Sequence, residues 1–206
     1  MGRFKIKKTD TFIDMTPMSD VMVLLLTFFM LTSTFIKPEP VKVNTPGSVS
    51  EIAIPDKNIL TVLIEKGGRI FMSMDRKVDM MGTMDLMNEK YSLGLNSSQV
   101  SKFSELSAFS LPIGTLAALL QKEEKAEIEK LMSEADKGIP CDSTDNQFKE
   151  WVNAAFEANP DFRIAIKADA NVPYKDIKQV MTSLQDIHKN RYNLITNLKK
   201  VTPIDE

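Results

Sequence analysis

Hydrophobic positions run unbroken through one part of this chain and alternate with polar ones through the rest. From Val21 to Phe35 the residues are Val-Met-Val-Leu-Leu-Leu-Thr-Phe-Phe-Met-Leu-Thr-Ser-Thr-Phe, without a charge, a glycine or a proline. Taken from Met15 to Ile36 the segment is 22 residues long. A helix of that length spans roughly 33 Å, about the thickness of a bilayer's hydrocarbon core. The pattern predicts a single N-terminal transmembrane helix.

Beyond it the periodicity is that of a soluble domain. Leu60–Glu65 and Arg69–Met74 are strand-like and flank the turn residues Gly67 and Gly68, which predicts a β-hairpin. Phe148, Trp151, Val152, Ala155 and Phe156 recur at helical spacing, and Asn159-Pro160 ends that helix. Phe162–Lys167 alternates as a strand, and residues 168–174 form a loop leading into a helix with Pro173 at its start. That helix is expected to bury Tyr174, Ile177, Val180, Met181, Leu184 and Ile187, and Tyr192–Leu198 makes the last strand. The order strand, strand, helix, strand, helix, strand predicts a small α+β domain, with two main helices on one face of the sheet.

A mostly helical insertion at about 79–145 interrupts this order. It holds a Met-rich helical candidate (Asp79–Tyr91), a Ser-rich patch (Ser92–Ser110) and an amphipathic stretch (Leu116–Glu134). Charge pairs along 121–130 mark a solvated helix face. Met72, Met74, Met80, Met81, Met84 and Met87 suggest a soft-metal site only until the absence of nearby Cys or His is noted. Adaptable core or contact surface is the simpler reading, and no metal or cofactor is expected. The organisation is a tail (1–14), a membrane helix (15–36), an extended linker (37–58) and an external domain (59–206). The linker is set by Pro38, Pro40, Pro46 and Pro55, which rule out a long helix. Within it Val41, Lys42, Val43 and Asn44 alternate, a pattern suited to a strand added at a sheet edge and equally to a plain spacer.

Charge fixes the orientation. Arg3, Lys5, Lys7 and Lys8 crowd the tail, so the positive-inside rule puts the N-terminus in the cytoplasm and the domain outside. A cleaved signal peptide is the rival; the length of the apolar run and its Thr-Ser-Thr-Phe ending argue against it. The net charge of −2 gives no support to nucleic-acid binding. A lone Cys141 rules out an internal disulfide framework. No enzyme is expected: Asp169 falls in a turn where Asp is favoured, and neither Tyr174 nor His188 sits in a catalytic motif.

One residue breaks the apolar segment. Asp20 stands about 1.5 turns inside it. At the centre of a membrane helix an Asp costs about 2.5–3.5 kcal/mol, less toward the interface. A headgroup-level charge favourable to the helix dipole is the bland reading. The helical wheel argues for more. Thr16, Leu24, Thr27, Leu31 and Thr34 fall within about 40° of Asp20 at 100° per residue, while Met22, Leu25, Leu26 and Phe29 take the opposite side. A carboxyl group on a hydroxyl-bearing stripe suits a face turned toward protein or a wet pathway, with Asp20 carrying protons and Thr16, Thr27 and Thr34 lining its path.

The residues Thr16-Pro17-Met18-Ser19-Asp20-Val21-Met22 before an apolar helix, with Val41-Lys42-Val43-Asn44-Thr45-Pro46 after it, resemble the start of ExbD/TolR-family proteins. Ile166-Lys-Ala-Asp-Ala-Asn-Val-Pro-Tyr174 resembles the family's strand–loop–helix signature. Together the likeness covers roughly 10–78 and 146–200. It implies a single-span inner-membrane subunit of a proton-driven motor, with Asp20 as the proton carrier. Two copies of the helix would sit inside a polytopic ring of the ExbB/TolQ type. The external domain would be periplasmic, would dimerise, with Val41, Lys42, Val43, Asn44 and Pro46 available for strand pairing, and would pass work to a TonB- or TolA-like protein. The alternative is a membrane-anchored binding or structural subunit in which Asp20 only pairs with a neighbouring helix. Thr45 departs from the family's common Leu, and the insertion exceeds the compact family domain.

Overall fold

In a computed structural model the described residues are 16–33, 45–48, 57–122, 125–135, 137–142, 144–195 and 197–198. They fall into two compact units divided between Lys37 and Pro38.

The first unit contains helix α1, Thr16–Thr32. Its side chains from Pro17 onward are exposed, apolar ones included. With 17 residues it is about 26 Å long. No helix among the described residues is long and apolar enough to cross a membrane. The predicted 15–36 span is therefore described over 16–33 only; Met15 and residues 34–36 lie outside.

The second unit is an α+β domain. The predicted hairpin forms from β2 (Ile59–Ile64) and β3 (Ile70–Met74), antiparallel, with Leu60 opposite Met74 and Ile64 opposite Ile70. Gly68, at φ +77, takes the left-handed turn position that a side chain resists. Strand β4 (Arg163–Ala168) pairs parallel to β2, and β5 (Tyr192–Ile195) parallel to β4, giving the order β3-β2-β4-β5. Cross-strand rows Met74–Leu60–Ile164, Met72–Val62–Ile166 and Ile70–Ile64–Ala168 are buried throughout and form the sheet's contribution to the core.

Helices cover this face: α2 (Lys77–Tyr91), α3 (Ser97–Ser104), α4 (Ile113–Lys122), α5 (Lys125–Glu134), α6 (Gln147–Ala158) and α7 (Tyr174–Asp186). The predicted amphipathic stretch 116–134 is thus two helices, and the Ser-rich patch holds one. The insertion is no appendage. Its Met80, Met84 and Met87 share one continuous core with Trp151 and Val152 of α6. Phe109 lies 4.5 Å from the Trp151 ring and 4.9 Å from Phe103, centroid to centroid. Phe109 also exchanges two backbone hydrogen bonds with Met72, at 2.8 and 2.9 Å, so the insertion covers the outer edge of β3 at that point. The methionines of the supposed soft-metal cluster are core residues: Met72, Met74, Met80, Met84 and Met87 are all buried.

Two expectations are corrected. Tyr174 was expected in the core but is 71% exposed. It opens α7 immediately after Pro173, nearly two turns before the buried stripe of Val180 and Leu184 begins. The last strand is not continuous either: β5 ends at Ile195, and β6 (Asn197–Leu198) pairs parallel with β1 (Gly47–Ser48) in a separate two-stranded sheet.

Candidate functional site

The apolar sequence of α1 explains its helical form and makes its surroundings the question. Leu24, Phe29 and Met30 are exposed, and Leu31 is 87% exposed. An uncovered apolar cylinder of this kind is stable only against lipid or other protein. Asp20 is the single ionisable group within it.

The continuity of α1 brings Asp20, Leu24, Thr27 and Leu31 onto one face, as the wheel predicted. Thr16 begins the helix. Thr34 lies outside the described residues. The hydroxyl of Thr27 donates to the Leu24 carbonyl at 2.9 Å, and that of Thr32 to the Phe28 carbonyl at 2.8 Å. Thr27 and Thr32 thus spend their protons on their own helix and turn only lone pairs outward. Along the axis, Thr27 stands about 10 Å from Asp20. On the described part of this face the carboxyl group is followed by one hydroxyl acceptor, Thr27, too far along the helix for direct proton transfer.

Of the linker residues, Val41, Lys42, Val43 and Asn44 lie outside the described residues. Pro46 is exposed and precedes β1, so the described strand pairing begins at Gly47.

The loop between β4 and α7 is built by Asp169. Its Oδ1 accepts the Asn171 backbone N–H at 2.9 Å and the Asn171 side-chain amide at 3.0 Å, and its carbonyl accepts Val172 N–H at 3.0 Å. Asp169 N–H in turn donates to the Ile64 carbonyl at 3.1 Å, fixing the loop to the end of β2. This is the turn chemistry read from the sequence. Cys141 is buried with its Sγ 3.3 Å from the Ser183 hydroxyl, and burial pushes its thiol up from the ordinary value, the opposite of a reactive thiolate.

A polar cluster ties the insertion to α6. The Tyr91 hydroxyl donates to Glu150 at 2.5 Å and Lys90 pairs with the same oxygen at 3.1 Å. Burial, then the hydrogen bond to Glu150 and the charges of Glu150 and Asp145, push the phenol up to about 12. Burial alone raises Glu150, but the hydrogen bonds from Tyr91 and Lys90 and the Lys90 charge outweigh it and hold the carboxyl below its usual range.

Sequence reasoning missed one feature. Arg163, Lys189 and Arg191 face a single cavity, yet lie up to 28 positions apart in the chain (191 − 163), so no local motif announces them.

Compared with known proteins, residues 7–99 match the family model described as Biopolymer transport protein ExbD/TolR. That stretch takes in α1, β1, the hairpin and α2, and ends inside α3. Residues 166–174 lie beyond it. Searches of curated proteins and of solved structures gave no match.

Proposed function

Residues 7–99 belong to the ExbD/TolR family of biopolymer transport proteins, and from that premise we propose that this chain is the proton-responsive subunit of an inner-membrane energy-transducing complex. In this reading α1, extended by its flanks, spans the membrane with the N-terminus in the cytoplasm and the α+β domain in the periplasm. A second copy pairs with it, and both helices sit within a polytopic ExbB/TolQ-like ring. The domain hands work to a TonB- or TolA-like protein.

The observation that carries the proposal is Asp20, the one ionisable group on an otherwise apolar and uncovered helix, within the matched stretch. Withdrawn from water against an apolar ring surface, a carboxyl group favours its neutral form; facing a polar outlet it ionises. One charge moved through 100 mV is worth about 2.3 kcal/mol, enough to bias a helix pair between two positions. Because Thr27 is too distant for direct relay, the helix itself moves the proton by changing which surface Asp20 faces.

The test is Asp20→Asn. Energised transport should be lost while the variant still co-purifies with its ring partner. Full transport by the variant would refute the role given to Asp20.

A further inference from the structure

The far ends of β4 and β5 frame a cavity of about 860 Å³ that the proposed motor does not use. The chain builds it by an unusual turn. At the end of α7, His188 adopts a left-handed conformation at φ +59, with His188 N–H donating to the Gln185 carbonyl and Lys189 N–H to the Leu184 carbonyl, both at 2.9 Å. This helix cap leaves Lys189 and Arg191 lining the same cavity as Arg163, the first residue of β4.

Three cationic side chains therefore share one concave site, and Asp161 is the only acid among its described lining residues. Counting Arg163, Lys189 and Arg191 against Asp161 gives 3 − 1 = +2, leaving His188 out of the count, in a chain whose net charge is −2. Among the described residues neither arginine makes a salt bridge. Lys189 places its ammonium 3.9 Å from the centroid of the Phe156 ring, a contact that orients the charge without cancelling it. Phe162, buried, backs the cavity with apolar wall. Like charges gathered beside a low-dielectric wall focus a positive potential. A second cavity has the opposite sign: Lys137 lines it with Asp142, Asp145 and Asp176, or 1 − 3 = −2.

We propose that the Arg163–Lys189–Arg191 cavity binds a phosphate monoester. Its charge at neutral pH, about −1.5 to −2, matches the surplus of two. Guanidinium forks bond phosphate oxygens in pairs, which an ammonium alone does not do. The volume is that of an organic ligand and far exceeds a bare ion. The ester is either a soluble metabolite or the headgroup of a lipid such as phosphatidate. The inference is independent of the motor reading, since it rests on residues of the domain alone.

His188 lines the cavity and is the chain's single histidine, so selectively labelled histidine reports on it without overlap. The full chain is placed in phosphatidylcholine nanodiscs at fixed pH and titrated with glycerol phosphate; a second series replaces part of the lipid with phosphatidate. A saturable shift of the His188 resonances is expected in at least one series. Arg163→Gln with Arg191→Gln should weaken it about ten-fold or more, whereas Lys137→Gln in the acidic cavity should leave it unchanged. Response to glycerol phosphate assigns a soluble ligand, and response to phosphatidate alone assigns the headgroup. No saturable shift in either series, or an equal midpoint in the arginine variant, overturns the proposal. Trp151 fluorescence checks that the double variant is folded, and the single Arg191→Gln change carries the test if it is not.

Discussion

Replacing Met84 with alanine probes whether the insertion and the rest of the domain are one structure. Met84 is 0% exposed and lies in the same core as Met80, Met87 and Trp151. The change removes three heavy atoms beyond Cβ. At about 0.8 kcal/mol per methylene equivalent the lost transfer term is about 2.4 kcal/mol. The space left between α2 and α6 adds to it, which places the total at about 3 kcal/mol, within the usual 2–5 for such truncations. For a domain of this size that is roughly 6–12 °C in Tm. Trp151 is the chain's only tryptophan and sits on α6, across the core from the substitution. Denaturation of the full chain, followed by Trp151 fluorescence and by helical circular dichroism, should therefore show both signals shifting together. A fluorescence transition that stays put while part of the helical signal melts early would show the insertion unfolding by itself, and the single-core argument would fail.

Three further outcomes follow from local geometry. An added Cβ at Gly138 would meet the Ile70 backbone nitrogen at 2.6 Å and the Arg69 Cα at 3.0 Å, so Gly138→Ala should cost about 2 kcal/mol or more in denaturant titration. Ser92 caps α2 with φ 51 and ψ 47 and is exposed; Ser92→Gly should therefore raise stability by about 0.5–1 kcal/mol, and a loss would contradict the left-handed cap. Tyr91 has a phenol pushed up to about 12, so its contribution is complete below the ordinary value near 10 and fades as pH rises from there toward 12. Glu150, held below its usual range, contributes above the ordinary value near 4.3 and loses that contribution as pH falls further. Tyr91→Phe should cost about 1–2 kcal/mol at neutral pH and weaken the alkaline decline in stability.

Much of the fold was legible because its signals are local. The hairpin announced itself through Gly67 and Gly68 between two strand-like runs, and Asn159-Pro160 marked the end of α6 to within a residue. The insertion was not legible as core, because its apolar residues earn their burial across long separations. Phe109 meets Met72 and Trp151 through pairings that no helical or strand period encodes. Tyr174 misled for the converse reason. Periodicity assigns it to the buried stripe of α7, but a residue in the first turn extends past the sheet that buries the later turns.

The candidate site divides along the same line. Asp20 stands out in the sequence because a lone charge in an apolar run is costly once that run lies in lipid. The roles of the threonines do not, since a hydroxyl stripe reads identically whether its protons point outward or back into the helix. With the Thr27 proton committed to the Leu24 carbonyl, that hydroxyl offers an acceptor and no donor relay. In the proposed reading a carboxyl group so placed exchanges its proton with a surface that comes against it from another molecule, or with water. In that reading, chemistry at Asp20 is thus a property of an assembly, and the helix supplies one half of it: a carboxyl group on a surface that something else must cover.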